Sequence, residues 1–126
     1  MATQECLTCI TLEAGADLSS DQYKFVTLSA GKAVLCSAAT DAPVGVLQNK
    51  PASGQAATVA ISGACKLLAG ATIASGDAVG TDASGTADPK AVTDTTEYVV
   101  GRALTGGASG EIVTALINTE APHRAS

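Results

Sequence analysis

The chain has no tryptophan, one phenylalanine and two tyrosines in 126 residues, so Tyr23, Phe25 and Tyr98 are its only rings. Sugar sites stack their ligands on exposed aromatics, and three rings are too few for both a core and such a platform. A carbohydrate- or surface-binding β domain of a fibre or envelope protein is therefore the disfavoured alternative. Positive charge is also scarce: seven Lys and Arg face 12 Asp and Glu, for a net charge of −5. No positive field draws in a phosphate backbone, which speaks against nucleic acid as a partner. No stretch approaches the ~20 continuous apolar residues of a membrane span. The start, Met1-Ala2-Thr3-Gln4-Glu5, lacks the basic and apolar regions of a signal peptide. A protein made in the cytoplasm, with no membrane partner, is expected.

Histidine is nearly absent. His123 stands alone in the tail Ala121-Pro122-His123-Arg124-Ala125-Ser126, which removes histidine-based triads. Of the four cysteines, Cys6 and Cys9 form the only close pair, at the extreme N-terminus with no strand before them. A redox C-x-x-C needs a strand before it and a helix after it, and a four-thiolate zinc site needs a second close pair, which Cys36 and Cys65 do not make. Free, partly buried thiols are the default in a cytosolic product. Gly107-Ala108-Ser109-Gly110 carries Glu111 where a nucleophile elbow needs its last glycine. Gly31-Lys32-Ala33 lacks the first glycine and the hydroxyl residue of a phosphate loop. The segment Asp82 to Asp88 lacks the distal Glu of a calcium loop and reads as a β-turn. No catalytic residue, cofactor or metal is expected.

What is present is small and β-prone. Hydrophobic residues make up 46% of the chain, mostly Ala, Val, Leu and Ile, and 13 glycines and four prolines punctuate them. Such a core buries little area per side chain, so association is expected to help a lone domain. Tyr23 to Leu28 alternates as a strand, with Tyr23, Phe25 and Thr27 on one face. The turn 29–31 then leads into a second strand over 32–36. Further strands are expected over 45–47, 57–61, 65–67, 78–80, 98–103 and 112–117. A single helical turn is expected near 18–22.

The sequence also matches itself. Val44, Gly45, Ala52, Ser53, Gly54, Thr58 and Ile61 recur as Val100, Gly101, Ala108, Ser109, Gly110, Thr114 and Ile117, every pair 56 positions apart, with Gln55 answering Glu111. Leu12 and Leu68, Ser19 and Ser75, and Asp21 and Asp77 keep that offset. Residues 12–61 and 68–117 read as two copies of one β unit, with chance similarity in an Ala- and Gly-rich chain as the alternative. The fold expected is all-β: one domain over 12–117, a small barrel or sandwich of two related halves. Residues 1–11 precede it as an extended N-terminal arm or a first strand, and 118–126 follow as a flexible tail.

Taken in order, Leu12 to Ser19, Ala42 to Leu47, Ala52 to Gln55, Ile73 to Val79, Gly85 to Ala87, Val100 to Leu104 and Ser109 to Glu111 resemble the capsid decoration, or cement, proteins of tailed bacteriophages. The resemblance implies a homotrimer on the outer capsid surface of a virion that clamps neighbouring major capsid proteins and carries no catalytic residues. An arm that adds a strand to a neighbour would place Thr3, Gln4, Glu5, Leu7, Thr8 and Ile10 at a capsid or subunit interface.

Overall fold

The computed structural model describes residues 5–90, 97–119 and 123–124. Among them there is no helix, and the strands are β1 (Glu5–Glu13), β2 (Phe25–Ser29), β3 (Lys32–Leu35), β4 (Gly45–Leu47), β5 (Ala56–Leu68), β6 (Ala78–Thr81), β7 (Ala87–Pro89), β8 (Tyr98–Val99), β9 (Gly101–Ala103), β10 (Ile112–Asn118) and β11 (His123–Arg124). Nine of them form one antiparallel sheet that curls into a half-barrel, and β8 pairs with β11 apart from it. The fold is all-β, as the turn spacing requires.

β5 organises the sheet. Its residues Ala56 to Ala60 pair with β1 on one edge, and Val59 and Ala60 pair with Leu47 and Val46 of β4 on the other. Its remainder, Ser62 to Leu68, pairs with β10. Ser62 and Ala64 have partners in both β1 and β10, and a strand residue has only two edges, so β4 and β10 lie end to end along the same one. Thr119 seals their junction: its hydroxyl donates to the Val44 carbonyl at 2.7 Å and its amide donates to the Ile61 carbonyl at 3.0 Å. Gly63, at φ 108, sits at the same point. Two strands were expected over 57–61 and 65–67. One continuous strand forms because glycine here bends the chain rather than ending it.

The hydrogen bonds of the first half recur in the second. Gln55 N–H donates to the Ala52 carbonyl at 3.0 Å and Glu111 N–H to the Ala108 carbonyl at 3.0 Å. The Ala52 amide donates back to Gln55 Oε1, as the Ala108 amide does to Glu111 Oε1. Gly54 and Gly110, at φ 83 and 89, close these turns with open space where a Cβ would lie. Phe25 opposes Val46 as Ala78 opposes Arg102, and Val26 opposes Gly45 as Val79 opposes Gly101. Ala14 bridges Ala33 as Ala69 bridges Ala87. Leu12 opposes Ala57 as Leu67 opposes Val113, so the structural partner of Leu12 is Leu67 and the spacing slips by one residue at this end.

The remaining differences from expectation are local. Tyr23 lies in a turn at φ 69, so β2 begins at Phe25, and residues 18–22 form turns without a helix. Asp82 caps its turn, accepting from the amides of Ser84 and Thr86 at 2.8 and 3.0 Å, but the chain then enters β7. Pro89 sits in that strand because β7 ends the sheet and a proline there forfeits no ladder bond. The expected strand over 98–103 divides at Val100, with β8 leaving the main sheet for β11. β11 pairs with β8 through His123 opposite Val99 and Arg124 opposite Tyr98.

Two buried clusters result. One gathers Ala14, Leu18, Val26, Ala33, Leu47, Ala57 and Val59 inside the first half. The other holds the equivalent residues of the second half, including Ala69, Ile73, Val79, Ala87, Ala103, Val113 and Ala115, and continues into Phe25, Cys36, Val46 and Ala60 of the first.

Candidate interaction surface

The sequence-based candidates all fall at the N-terminus. Thr3 and Gln4 lie outside the described residues. Glu5, Leu7, Thr8 and Ile10 belong to β1, where Glu5 is in register with Ala64 and Thr8 with Ser62, with irregular pairing between them. Ile10 is half-buried against the first-half core. Residues 5–13 are thus a strand of the sheet, and β5 is the only strand paired to them among the described residues.

Sequence reasoning missed a second surface, on β6, β9 and β10. Ala78, Arg102 and Leu116 oppose one another across these three strands and share one face. They line a groove of about 280 Å³ bordered by Val99, Val100 and Ile117. Leu116 is 53% exposed, and the Arg102 guanidinium, beside it, is tethered by a 3.1 Å bond to the Gly76 carbonyl. Among the described residues the other large exposed apolar side chains are Leu104 and Ile112, in the same half, and Leu28 in the first.

One wall of the groove is held by a buried cation. The Lys90 side chain is fully buried; its ammonium donates to the Thr81 carbonyl at 2.8 Å and pairs with Asp88 at 3.2 Å and with Glu97. Glu97 leads directly into β8, so this clasp fixes Tyr98 and Val99 over β6, where Gly80 leaves no room for a Cβ against the Tyr98 carbonyl. An ammonium removed from water needs such partners, and here two carboxylates and a carbonyl supply them. No group of His, Cys, Asp and Glu suited to a metal occurs among the described residues.

Cys36 and Cys65 are buried thiols. Burial pushes Cys36 and Cys65 up to about 12 from an ordinary 9.0, against a weaker opposing hydrogen bond from Thr81 to Cys36. Both stay protonated in the folded chain up to strongly alkaline pH, while an unfolded thiol ionises near 9. The folded state therefore binds more protons between those values, and stability falls as pH rises from about 9 to about 12. Urea titrations across that range should show the decline, and Cys36→Ala with Cys65→Ala should flatten it; an unchanged slope in the double variant would rule the thiols out as its cause.

Comparison with known proteins follows the same outline. The phage cement protein family model matches residues 9–118, from β1 to the end of β10. No curated relative matches the chain. Among solved structures, the head fiber gp8.5 N base in bacteriophage phi29 is similar in fold, with a TM-score of 0.67 and 22% identity over 90% of this chain and 96% of that one.

Proposed function

The chain belongs to the phage cement protein family, whose members are structural, virion-associated capsid proteins, and from that premise we propose that it is a homotrimer on the outer surface of a phage head, clamping neighbouring major capsid proteins. The observation that carries this reading is the extent of the family match, which runs from within β1 to the end of β10 and leaves out only the start of β1 and β11 among the strands described. The likeness in fold to the base of a phage head fibre supports attachment to a head. A clamp works by many moderate contacts repeated over a shell, and its free energy comes from buried area and strand pairing.

The N-terminal segment, with Thr3, Gln4, Glu5, Leu7 and Thr8, is the proposed capsid contact. Among the described residues β1 pairs with β5 alone, which supports this, because a strand edge left open carries a row of donors and acceptors ready for another chain. The same reading takes the two halves as copies of one unit, supported by their recurrent hydrogen bonds.

Undecorated heads of the cognate phage mixed with purified protein provide the test. Saturable binding at a fixed copy number per shell, with heads that survive heating better once decorated, is expected. Removal of residues 2–4 should weaken binding about tenfold or more while leaving the fold intact. Heads that bind no protein would overturn the cement reading; full binding by the shortened chain would overturn the assignment of the contact.

A further inference from the structure

The recurrent halves leave one hairpin and one face without a counterpart. In the first half, Phe25, Val46 and Ala60 oppose one another across β2, β4 and β5, and all three are fully buried. The β6–β7 hairpin of the second half meets this face at Phe25. Phe25 N–H donates to the Gly85 carbonyl at 2.6 Å, and Gly85 packs so tightly against Leu35 that a Cβ would collide with it. The positions equivalent to Phe25, Val46 and Ala60 are Ala78, Arg102 and Leu116, the residues of the groove. The hairpin equivalent to β6–β7 is β2–β3, where Leu28 opposes Ala33 as Thr81 opposes Ala87. Thr81 and Gly85 are buried, but Leu28 is 51% exposed and residues 29–32 lie open to solvent.

Each half therefore carries a hairpin of one shape and a face that receives it. One hairpin meets one such face inside the chain; among the described residues the hairpin β2–β3 and the face Ala78–Arg102–Leu116 have no such contact. We infer that the β2–β3 hairpin of one copy seats on the Ala78–Arg102–Leu116 face of a second copy, repeating between chains the contact made between the halves. This inference rests on the self-association proposed above and names its surfaces.

Two observations favour a second copy as the occupant. The first is continuity: the contact already exists within the chain on the same backbone framework. The second is charge. Within the chain the face contributes Val46, and Leu68 of β5 bonds through its amide to the Tyr23 carbonyl at the start of β2. At the unpaired ends the equivalent of Val46 is Arg102, and that of Leu68 is Glu13, which lies beside the free hairpin in a 3.0 Å ion pair with Lys32. Apolar residues inside the chain thus become a base on the open face and an acid next to the open hairpin. The two joined surfaces differ, so the contact is head-to-tail, which forms a ring where the rotation closes and does not form a two-fold dimer.

Sedimentation of the full chain over a range of concentrations tests this with Leu28→Asp and Leu116→Asp. Each variant alone should lose association by roughly tenfold or more, since each buries a charge in place of a leucine. Mixed in equal amounts, the two should form a dimer and nothing larger, because the first keeps an intact face and the second an intact hairpin. Circular dichroism checks the fold, and Leu28→Ser with Leu116→Ser replaces a variant that fails to fold. Wild-type association that both variants retain, or a wild-type chain monomeric at every concentration with and without heads, would overturn the inference. The first outcome together with normal head binding would leave the cement reading standing, whereas loss of head binding by the wild type would remove that reading without touching the mixing result.

Discussion

Phe25→Ala should lower stability by about 3–5 kcal/mol, the range for removing a buried ring. Phe25 is the single phenylalanine of the chain, and none of its surface is exposed. Its neighbours across the sheet, Val46 and then Ala60, are small and stand on paired strands, so they cannot move in to fill the space. The cavity would open where the second half rests on the first, beneath the hairpin whose Gly85 carbonyl the Phe25 amide holds. Loss of the ring should therefore loosen one half from the other as well as lower the unfolding midpoint. Chemical denaturation gives the magnitude, and hydrogen exchange at the Phe25 amide, bonded to Gly85, and the Leu68 amide, bonded to Tyr23, reports the junction. Phe25→Leu, which keeps most of the volume, should retain the greater part of the stability. A Phe25→Ala protein within about 1 kcal/mol of wild type would mean that the ring does not join the halves.

The strands were legible because glycine, proline and short β-branched runs mark them locally: β2, β3, β4, β6 and β10 fall within a residue or two of where alternation and turn residues put them. Departures occur where a glycine or proline has a tertiary reason to be in a strand. Gly63 bends β5 so that one strand serves both halves, and Pro89 is tolerated on the last strand of the sheet. Lys90 reads as a surface lysine in sequence and is buried by Asp88 and Glu97, a pairing that no spacing announces. The groove was hidden for a similar reason. Ala78, Arg102 and Leu116 have no common sequence signature, and only the register of β6, β9 and β10 brings them onto one face. The 56-residue offset pairs Val46 with Arg102 and Ala60 with Leu116 but sets Phe25 against Thr81, so the matching of Phe25 with Ala78 had to come from the register.

Gly45→Ala should cost about 3 kcal/mol, near the upper end of the usual range for forcing an extra carbon into a packed site, and Gly101→Ala a comparable amount. Both glycines lie in the middle strand of their half, Gly45 opposite Val26 and Gly101 opposite Val79. A Cβ on Gly45 would collide with the Ala60 carbonyl and the Val59 methyl, and one on Gly101 with the Leu116 carbonyl. The two carbonyls are backbone atoms of paired strands, so the sheet itself has to open, and a change of rotamer at Val59 alone does not relieve the overlap. Neither glycine is needed for a positive φ, which separates them from Gly54 and Gly110. Those two have a positive φ and empty space around them, so alanine there meets only the conformational penalty of about 1 kcal/mol. Four single variants measured by urea denaturation should therefore fall into two classes that cut across the halves, with the strand glycines costly and the turn glycines cheap. A split by half instead, with Gly45 and Gly54 alike and Gly101 and Gly110 alike, would mean that local stability follows position in the chain, and the equivalence of the two halves would fail at the residues that define it best.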